Sequence, residues 1–386
     1  MSASNKKDFI NKTKIEFYKE IKKYQQNLMP TKEIEGFGGS AIVGEKNYPN
    51  LKVHNISNSN FESSFFNTNE IVKKDYNDIL KLKARNILGS TEEAHKRKVD
   101  SRINTELQDV YKSKKAVEFN SEFEKELQFD KVLVNKVSGI VGSKNPLLTL
   151  EATENTSTSK NIEKFTTGDV KSREAIISLY EKGTNENQII NLLALGTLGI
   201  QSNKRLVPTK WSISAYDQTI EKYLHKKLLK YRVLNEFEVY EYHDKGNYFV
   251  EILIPDSFQG EVVEAFTGFV ERDYVGLDNK LNKPEPETSG GFYATKIAIF
   301  EHLEERKRQA AFVSLRLISG YDIPLGVVFV RECVREALKK KPLFRGTSEK
   351  ELNEFLSQKY PKHFKLYSES RVLKERKRQR KLGEYL

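Results

Sequence analysis

Lys204-Arg205-Leu206-Val207-Pro208-Thr209-Lys210-Trp211-Ser212-Ile213-Ser214-Ala215-Tyr216-Asp217 is the run around which the rest of the chain is organised. It holds the single tryptophan and sets cations, a proline, a threonine and two serines side by side. Pro208 pushes Val207 towards extended geometry and opens a turn. Ser212 or Ser214 then serves as the N-cap of a helix expected over residues 213–231. The free N–H groups of a helix start attract anions, and Lys204, Arg205 and Lys210 stand close by. Two readings fit these residues. One is a phosphate-binding corner; the other is a capped helix with solvated cations and a core tryptophan.

The surrounding composition narrows the class of protein. A chain of 386 residues is long enough for two domains or one large one, and 38% hydrophobic residues suit a folded protein with a polar surface. The net charge of +11, from 65 Lys+Arg against 54 Asp+Glu, favours polyanions such as nucleic acid, although solubility alone accounts for a modest excess. No apolar run reaches membrane-spanning length, so no membrane partner is expected, and the N-terminus lacks an apolar signal-peptide core. The one cysteine, Cys333, has no internal disulfide partner and reads as a buried structural thiol, in keeping with a reducing cytoplasm. With 6 scattered His it also excludes a cysteine-built zinc finger, and no metal or cofactor is implied.

Along the chain, residues 8–28 carry apolar side chains at roughly helical spacing. Two short strands are expected near residues 41–43 and 51–53, joined by a Gly–Pro–Asn turn. Residues 69–115 read as charged and mostly helical, with Arg85, Lys96, Arg97, Lys98 and Arg102 as a basic face. A strand is expected around Leu147, Leu148 and Leu150, then a loop over residues 154–160, where a boundary is placed. Helices over residues 172–182 and 185–195 follow; their second member has amides but no cation, which argues for helix packing over groove reading. Strands over 236–242 and 248–254 flank the turn Lys245-Gly246-Asn247, while residues 262–270 are apolar and ambiguous. A proline-bearing loop over 278–289 leads to Gly290-Gly291, a helix over 292–306, a strand over 311–318 and a helix over 327–339. The pattern predicts an α+β fold of mixed helices around a mainly antiparallel sheet, with a helix-rich N-terminal region.

Several motifs resemble the archaeal Nre family. The organising run is similar to its Val-Pro-Thr-Arg-Trp-Ser-Ile-Thr-Ala segment, with Lys210 in place of Arg and Ser214 in place of Thr. Gly290-Gly291-Phe292-Tyr293-Ala294, Pro324-Leu325-Gly326-Val327 and Val330-Arg331-Glu332 follow in the family's order, and Gly44, Tyr48, Pro49 and Asn50 match its N-terminal signature. The resemblance implies a cytoplasmic DNA damage repair protein, with a family N-terminal domain over 1–160, a C-terminal domain over 161–370 and a basic tail over 371–386. Many relatives carry a four-cysteine cluster near the N-terminus; this chain has none, and nothing that depends on it carries over.

Beside these motifs the chemistry is cationic. Gly290 and Gly291 can bring bare N–H groups up to a phosphate, or simply make a tight turn. Arg331 and Arg335 share a helix face, with Glu332 expected to turn away. Arg316 sits in an apolar strand and needs a carboxylate or a ligand, with Glu332 or Asp217 as the internal choices. No Walker loop, nucleophile elbow or helical His pair is present. In the tail, Gln379, Leu382, Tyr385 and Leu386 have the spacing of the motif that plugs the sliding clamp, and the resemblance implies PCNA as the partner. Three functions remain open: a clamp-bound repair protein that contacts DNA, an enzyme acting on a nucleotide or nucleic-acid phosphate, and a non-catalytic adaptor.

Overall fold

The computed structural model describes residues 19, 21–25, 29–46, 49–58, 70–94, 102–115, 117–129, 132–135, 139–153, 156–266, 268–276, 288, 290–319 and 325–378. Most of the helix read over residues 8–28, Tyr48, Lys96, Arg97, Lys98, most of the 278–289 loop, Pro324 and the clamp-type residues Gln379, Leu382, Tyr385 and Leu386 lie outside them. Two compact units divide the chain, Ile15–Ile220 and Glu221–Leu386, the second also taking in Met1–Lys14. The class is α+β, with mostly antiparallel sheets among the described residues.

In the first unit, strands β1 (Glu33–Val43), β2 (Asn50–Asn58), β3 (Ile87–Ala94), β4 (Glu118–Phe123), β5 (Val132–Asn135) and β6 (Gly139–Ala152) form one sheet. Its order is β3-β2-β1-β4-β6-β5, and β3 also pairs with β6, so β1, β2, β3, β6 and β4 close into a ring. The closing pair is parallel, with Ile87 opposite Ser143 and Ser90 opposite Pro146; the other pairs are antiparallel. Alternation in β4 buries Phe119, Ser121 and Phe123 and turns Glu118, Asn120 and Glu122 outward. Helices α1 (Glu70–Lys73) and α2 (Tyr76–Ala84) lie between β2 and β3, and α3 (Arg102–Lys112) lies between β3 and β4. Tyr111 of α3 is buried with its hydroxyl towards Asn55 Oδ1 at 3.4 Å.

This sheet corrects the helical reading of residues 69–115. Helix survives in α1, α2 and α3, but Ile87–Ala94 is a strand. Its two edges are both taken, by β2 and by β6, and that non-local pairing outweighs a charged local pattern.

Four helices complete the unit: α4 (Lys160–Thr167), α5 (Ser172–Glu181), α6 (Glu186–Ala194) and α7 (Thr209–Leu228), whose last turns belong to the second unit. Ser159 and Asn185 cap α4 and α6, each accepting from N–H groups of the first turn. β1 pairs with β4 only over Glu33–Phe37, so its later N–H groups need other acceptors. Ala41 N donates to Asn191 Oδ1 at 3.2 Å and Val43 N to Thr209 Oγ1 at 2.8 Å.

In the second unit, β7 (Arg232–Val233) pairs with β12 (Arg308–Gln309). The main sheet holds β8 (Phe237–Asp244), β9 (Asn247–Ile254), β10 (Gly260–Phe266), β11 (Phe269–Val275), β13 (Ala311–Ile318) and β14 (Phe344–Gly346), in the order β11-β10-β13-β9-β8-β14. The ambiguous residues 262–270 are thus the β10–β11 hairpin. The predicted β8–β9 turn is formed by Lys245 and Gly246, with φ of 45° and 73°, the paired positive values that a two-residue hairpin demands. Helices α8 (Gly291–Arg306), α9 (Val327–Lys339), α10 (Glu349–Lys359), α11 (Phe364–Ser368) and α12 (Arg371–Arg378) flank it.

The two faces of this sheet differ in kind. One carries Val239, Val250, Ile252, Val263, Val313 and Leu315 and packs dry against Leu352, Leu356, Tyr367, Val372 and Leu373 of α10–α12. The alternate residues, Glu238, Glu251, Glu264, Ser314 and Arg316, are just as buried but polar. On that side Phe249 of β9 meets Phe329 of α9, and Glu238 of β8 binds Arg306 of α8 at 2.5 and 2.8 Å.

Gly260 makes the tightest packing requirement here. A Cβ on it would stand 2.2 Å from Cε1 of the fully buried Phe312 ring, its partner across β10 and β13. Gly260→Ala should therefore cost about 1–3 kcal/mol of stability by overpacking. Urea unfolding of the two proteins measures it, and unchanged midpoints would remove the packing argument.

Candidate functional site

The organising run folds differently from its capping pattern. Helix α7 begins at Thr209, with Trp211 N and Ser212 N both donating to Pro208 O at 2.9 and 3.0 Å. The proline suits a helix start, where its missing N–H is no loss. Ser212 is consequently inside the first turn and fully buried, its hydroxyl without a hydrogen-bond partner among the described residues. Ser214 Oγ donates back to Lys210 O at 3.1 Å. Neither serine is the cap.

Around this start the cations take different roles. Lys204 Nζ donates to Thr166 O at 2.6 Å and Gly168 O at 3.4 Å, closing the end of α4. Burial lowers its pKa, with Asp169 opposing that shift. Arg205 is exposed, and its backbone fills the space where a Cβ on Gly196 would sit, 2.5 Å away. Gly196 has a φ of 72°, so the chain reverses there on a residue that tolerates both the angle and the contact. Lys210 Nζ lies 3.9 Å from Glu45 Oε2 in the β1–β2 loop. Trp211 is 49% exposed, which removes the core-tryptophan reading. Arg205, Lys210 and Trp211 thus all reach solvent at least in part, and they are residue types that bind phosphate and stack on a base.

Gly290, Gly291, Arg316, Arg331 and Arg335 belong to the second unit. Gly290 has a φ of 94°, and a Cβ on Gly291 would lie 2.7 Å from Glu264 Oε1, so a carboxylate rather than open space faces this helix start. Gly291 N donates to Thr288 O at 2.9 Å and Phe292 N to Thr288 Oγ1 at 3.2 Å. Thr288 is itself tied to Asp273 Oδ2 through its N–H and hydroxyl, at 2.9 and 2.7 Å. A carboxylate that meets Arg316 is Glu264, at 2.8 Å, beside the expected Glu332 and Asp217 a third choice that the sequence did not single out, and Arg316 Nε donates to Asn247 Oδ1 at 2.9 Å. Parallel pairing of β10 with β13 sets Glu264 directly beside Arg316. Burial raises the Glu264 pKa while Arg316 pulls it back.

On α9, Arg331 is only 1% exposed. Arg335 grips both oxygens of Glu301 at 2.8 and 2.9 Å and also reaches Glu332 at 2.5 Å, so Glu332 is not turned away from it. Cys333 is buried, and that burial holds its pKa well above the usual thiol range, an inert thiol. Among the described residues no three His, Cys, Asp or Glu side chains are grouped to hold a metal ion.

The basic tail also starts later than its composition implies. Residues 371–378 are helix α12, with Val372 and Leu373 in the core. Arg376 bonds Asp256 at 3.1 Å and Glu349 at 2.6 Å and lies over the Phe237 ring, so it is a packing residue rather than a free cation.

Sequence reading missed Glu264, Asn247 and Glu251. The signal was a lone carboxylate inside an apolar strand, Val263-Glu264-Ala265 and Val250-Glu251-Ile252, the same anomaly that singled out Arg316.

The chain matches the archaeal Nre N-terminal model over residues 11–268 and the archaeal Nre C-terminal model over residues 278–385. It belongs to the archaeal Nre family. It is 29% identical over 249 residues to DNA repair protein NreA of Archaeoglobus fulgidus, covering 62% of each chain. It is 31% identical over 227 residues to DNA repair protein NreB of that organism, covering 56% of this chain and 57% of the relative. Both matches therefore span about three fifths of those relatives. DNA repair protein NreA of Haloferax volcanii is 27% identical over 330 residues, covering 79% of this chain and 77% of its own. No solved structure matches the chain.

Glu251 gives a pH signature. It is fully buried, bonded to Ser314 Oγ at 3.0 Å, and burial pushes its pKa up to about 8 from an ordinary 4.5. Below about pH 4.5 the folded and unfolded chains both hold the proton, and its stabilising effect is complete. As pH rises towards 8 the unfolded chain releases it first, so this group's contribution falls by about 1.4 kcal/mol per pH unit and then levels off. Glu251→Gln should flatten that decline. Denaturant unfolding at pH 5, 6.5 and 8 compares the slopes, and parallel curves would assign the proton elsewhere.

Proposed function

We propose that this protein acts in DNA damage repair, contacts DNA through Arg205, Lys210 and Trp211, and binds the sliding clamp PCNA through Gln379, Leu382, Tyr385 and Leu386. The repair role is supported by the names of the relatives. DNA contact is carried by one observation, the half-exposed Trp211 beside Lys210 at a helix start. Arg316 and Arg335 are engaged by carboxylates inside the second unit, so they support its packing and the DNA reading rests on the corner. Clamp binding is supported by sequence alone: a glutamine, an aliphatic and an aromatic at the spacing that fills one apolar pocket. Lys374 and Lys377 stand exposed on α12 just ahead of it and suit steering towards an acidic surface.

Trp211 is the only tryptophan, so it reports on its own site. Single-stranded DNA should quench its fluorescence, and Trp211→Ala should weaken binding by about 1–3 kcal/mol, the worth of one stacked base. Unchanged emission at saturating DNA would exclude the corner.

For the tail, calorimetry of the full chain against the clamp should give micromolar binding. Leu382→Ala and Tyr385→Ala should each remove about 1–3 kcal/mol, the range for burying a large apolar side chain. Equal binding by the double variant would reduce the spacing to coincidence.

A further inference from the structure

The closed ring of the first unit has a specific connectivity. Its strand order is β1-β2-β3-β6-β4 and back to β1, with β3 and β6 the only parallel neighbours and α3 inserted between β3 and β4. Counting ring strands alone, this is 1-2-3-5-4-1 with a helix between the third and fourth, the topology of the oligonucleotide- and oligosaccharide-binding barrel. Helices α1 and α2 and strand β5 are insertions in its connections. Topology alone does not assign a function, so the surface has to decide it.

The outer surface is divided by charge. Over β1, β4 and the end of β6 it carries Glu33, Glu35, Glu118, Glu122 and Glu151, with Arg102 bound to Glu151. On the same side of β2, β3 and the start of β6 lie Lys52, the buried His54, Ser90 and Lys144, with Glu92 opposite Lys52 in the register. His54 Nδ1 lies 2.6 Å from Ser90 Oγ, and Lys52 and Lys144 both press its pKa down, after burial, to about 4. Ile42, Ile56 and Leu88 on this side are buried in an apolar cluster, and Lys52, Ser90 and Lys144 are its partly exposed residues. The first surface is acidic, whereas the partly exposed side chains of the second, Lys52, Ser90 and Lys144, are cationic or neutral.

This second surface continues to the tryptophan corner. Gly44 N donates to Lys52 O at 2.8 Å, Val43 N to Thr209 Oγ1 at 2.8 Å, and Lys210 lies 3.9 Å from Glu45. The end of β1, the start of β2 and the start of α7 are therefore joined within one unit. We infer that the first unit is a single-stranded DNA-binding barrel, in which the partly exposed Lys144 and Lys52 meet the strand's phosphates and Trp211 stacks one of its bases. This deepens the DNA reading above and rests on it. Such barrels bind single strands by a cationic track plus aromatic stacking, which the Lys144–Lys52–Lys210–Trp211 path supplies.

The test uses the full chain and a fluorescent oligothymidylate of roughly fifteen nucleotides, a length within the usual site size of one barrel. Lys52→Glu with Lys144→Glu should weaken binding at low salt about tenfold or more and make the log–log salt slope shallower by about 1.4, two phosphate contacts on a single strand. Glu33→Lys with Glu35→Lys, on the acidic surface, should not weaken it. Lys52→Gln with Lys144→Gln gives the same slope change if the reversed charges disturb folding. Deleting residues 379–386 should leave oligonucleotide binding intact, which separates it from clamp binding. Loss of binding in Trp211→Ala with none in either lysine pair would keep the corner and overturn the barrel track. No binding by the unaltered chain, equal affinity for duplex of the same length, or tighter binding of oligouridylate would overturn the single-stranded DNA assignment.

Discussion

Four residues of β3, Ile87 to Ser90, pair in parallel with Ser143 to Pro146 of β6, and the architecture of the first unit depends on that contact. Without it, the sheet would be open, with β3 as one of its edge strands and a row of unpaired N–H and C=O groups along it. With it, the sheet has an inside and an outside. Ile87, Gly89 and Asn145 take one side and Leu88, Ser90 and Lys144 the other, because side chains alternate along a strand. A one-residue slip would exchange them and turn the lysine inward. Gly89 and Gly142 show how close the approach is: a Cβ would stand 2.8 Å from Leu147 at the first and 2.3 Å from Asn86 O at the second.

The second unit solves a different problem. Its sheet is dry on one face and polar on the other, yet both are buried. Burying an ion pair gains little over a well-packed apolar pair, but leaving one member alone is costly. Glu264 with Arg316 and Glu221 with Lys296 are buried pairs at 2.8 and 2.6 Å, and the partly exposed Glu301 and Arg335 pair at 2.8 Å. The first of these pairs also favours one register, because Glu264 and Arg316 stand opposite each other on the neighbouring strands β10 and β13. Gly291 at the start of α8 serves the same arrangement by letting the helix come down onto Glu264.

These two solutions separate the roles of the cations. In the second unit, Arg316 and Arg335 point into protein and meet carboxylates, while Arg376 fastens the last described helix to the core. In the first unit, Arg205, Lys210 and Lys144 stay at least partly in contact with solvent. A formal excess of +11 therefore says little about where a polyanion would bind until the buried cations are set apart from those that reach solvent.

The sequence by itself determined the family, through motifs that follow one order, and most local structure of the second unit. The β8–β9 hairpin, α8, β13 and α9 fall where their periodicity and turn residues put them, because each is specified by neighbours within a few positions. It also marked Arg316 as a residue in need of a partner. Tertiary structure alone decided that the partner is Glu264, fifty-two positions away and adjacent only through the β10–β13 pairing. It likewise decided that Lys204 closes a helix while Trp211 faces solvent, although both stand in one short run. The barrel was hidden for the same reason. Strand β3 is charged and short of apolar periodicity, and what makes it a strand is hydrogen bonding on both edges to segments far along the chain, which no local pattern records.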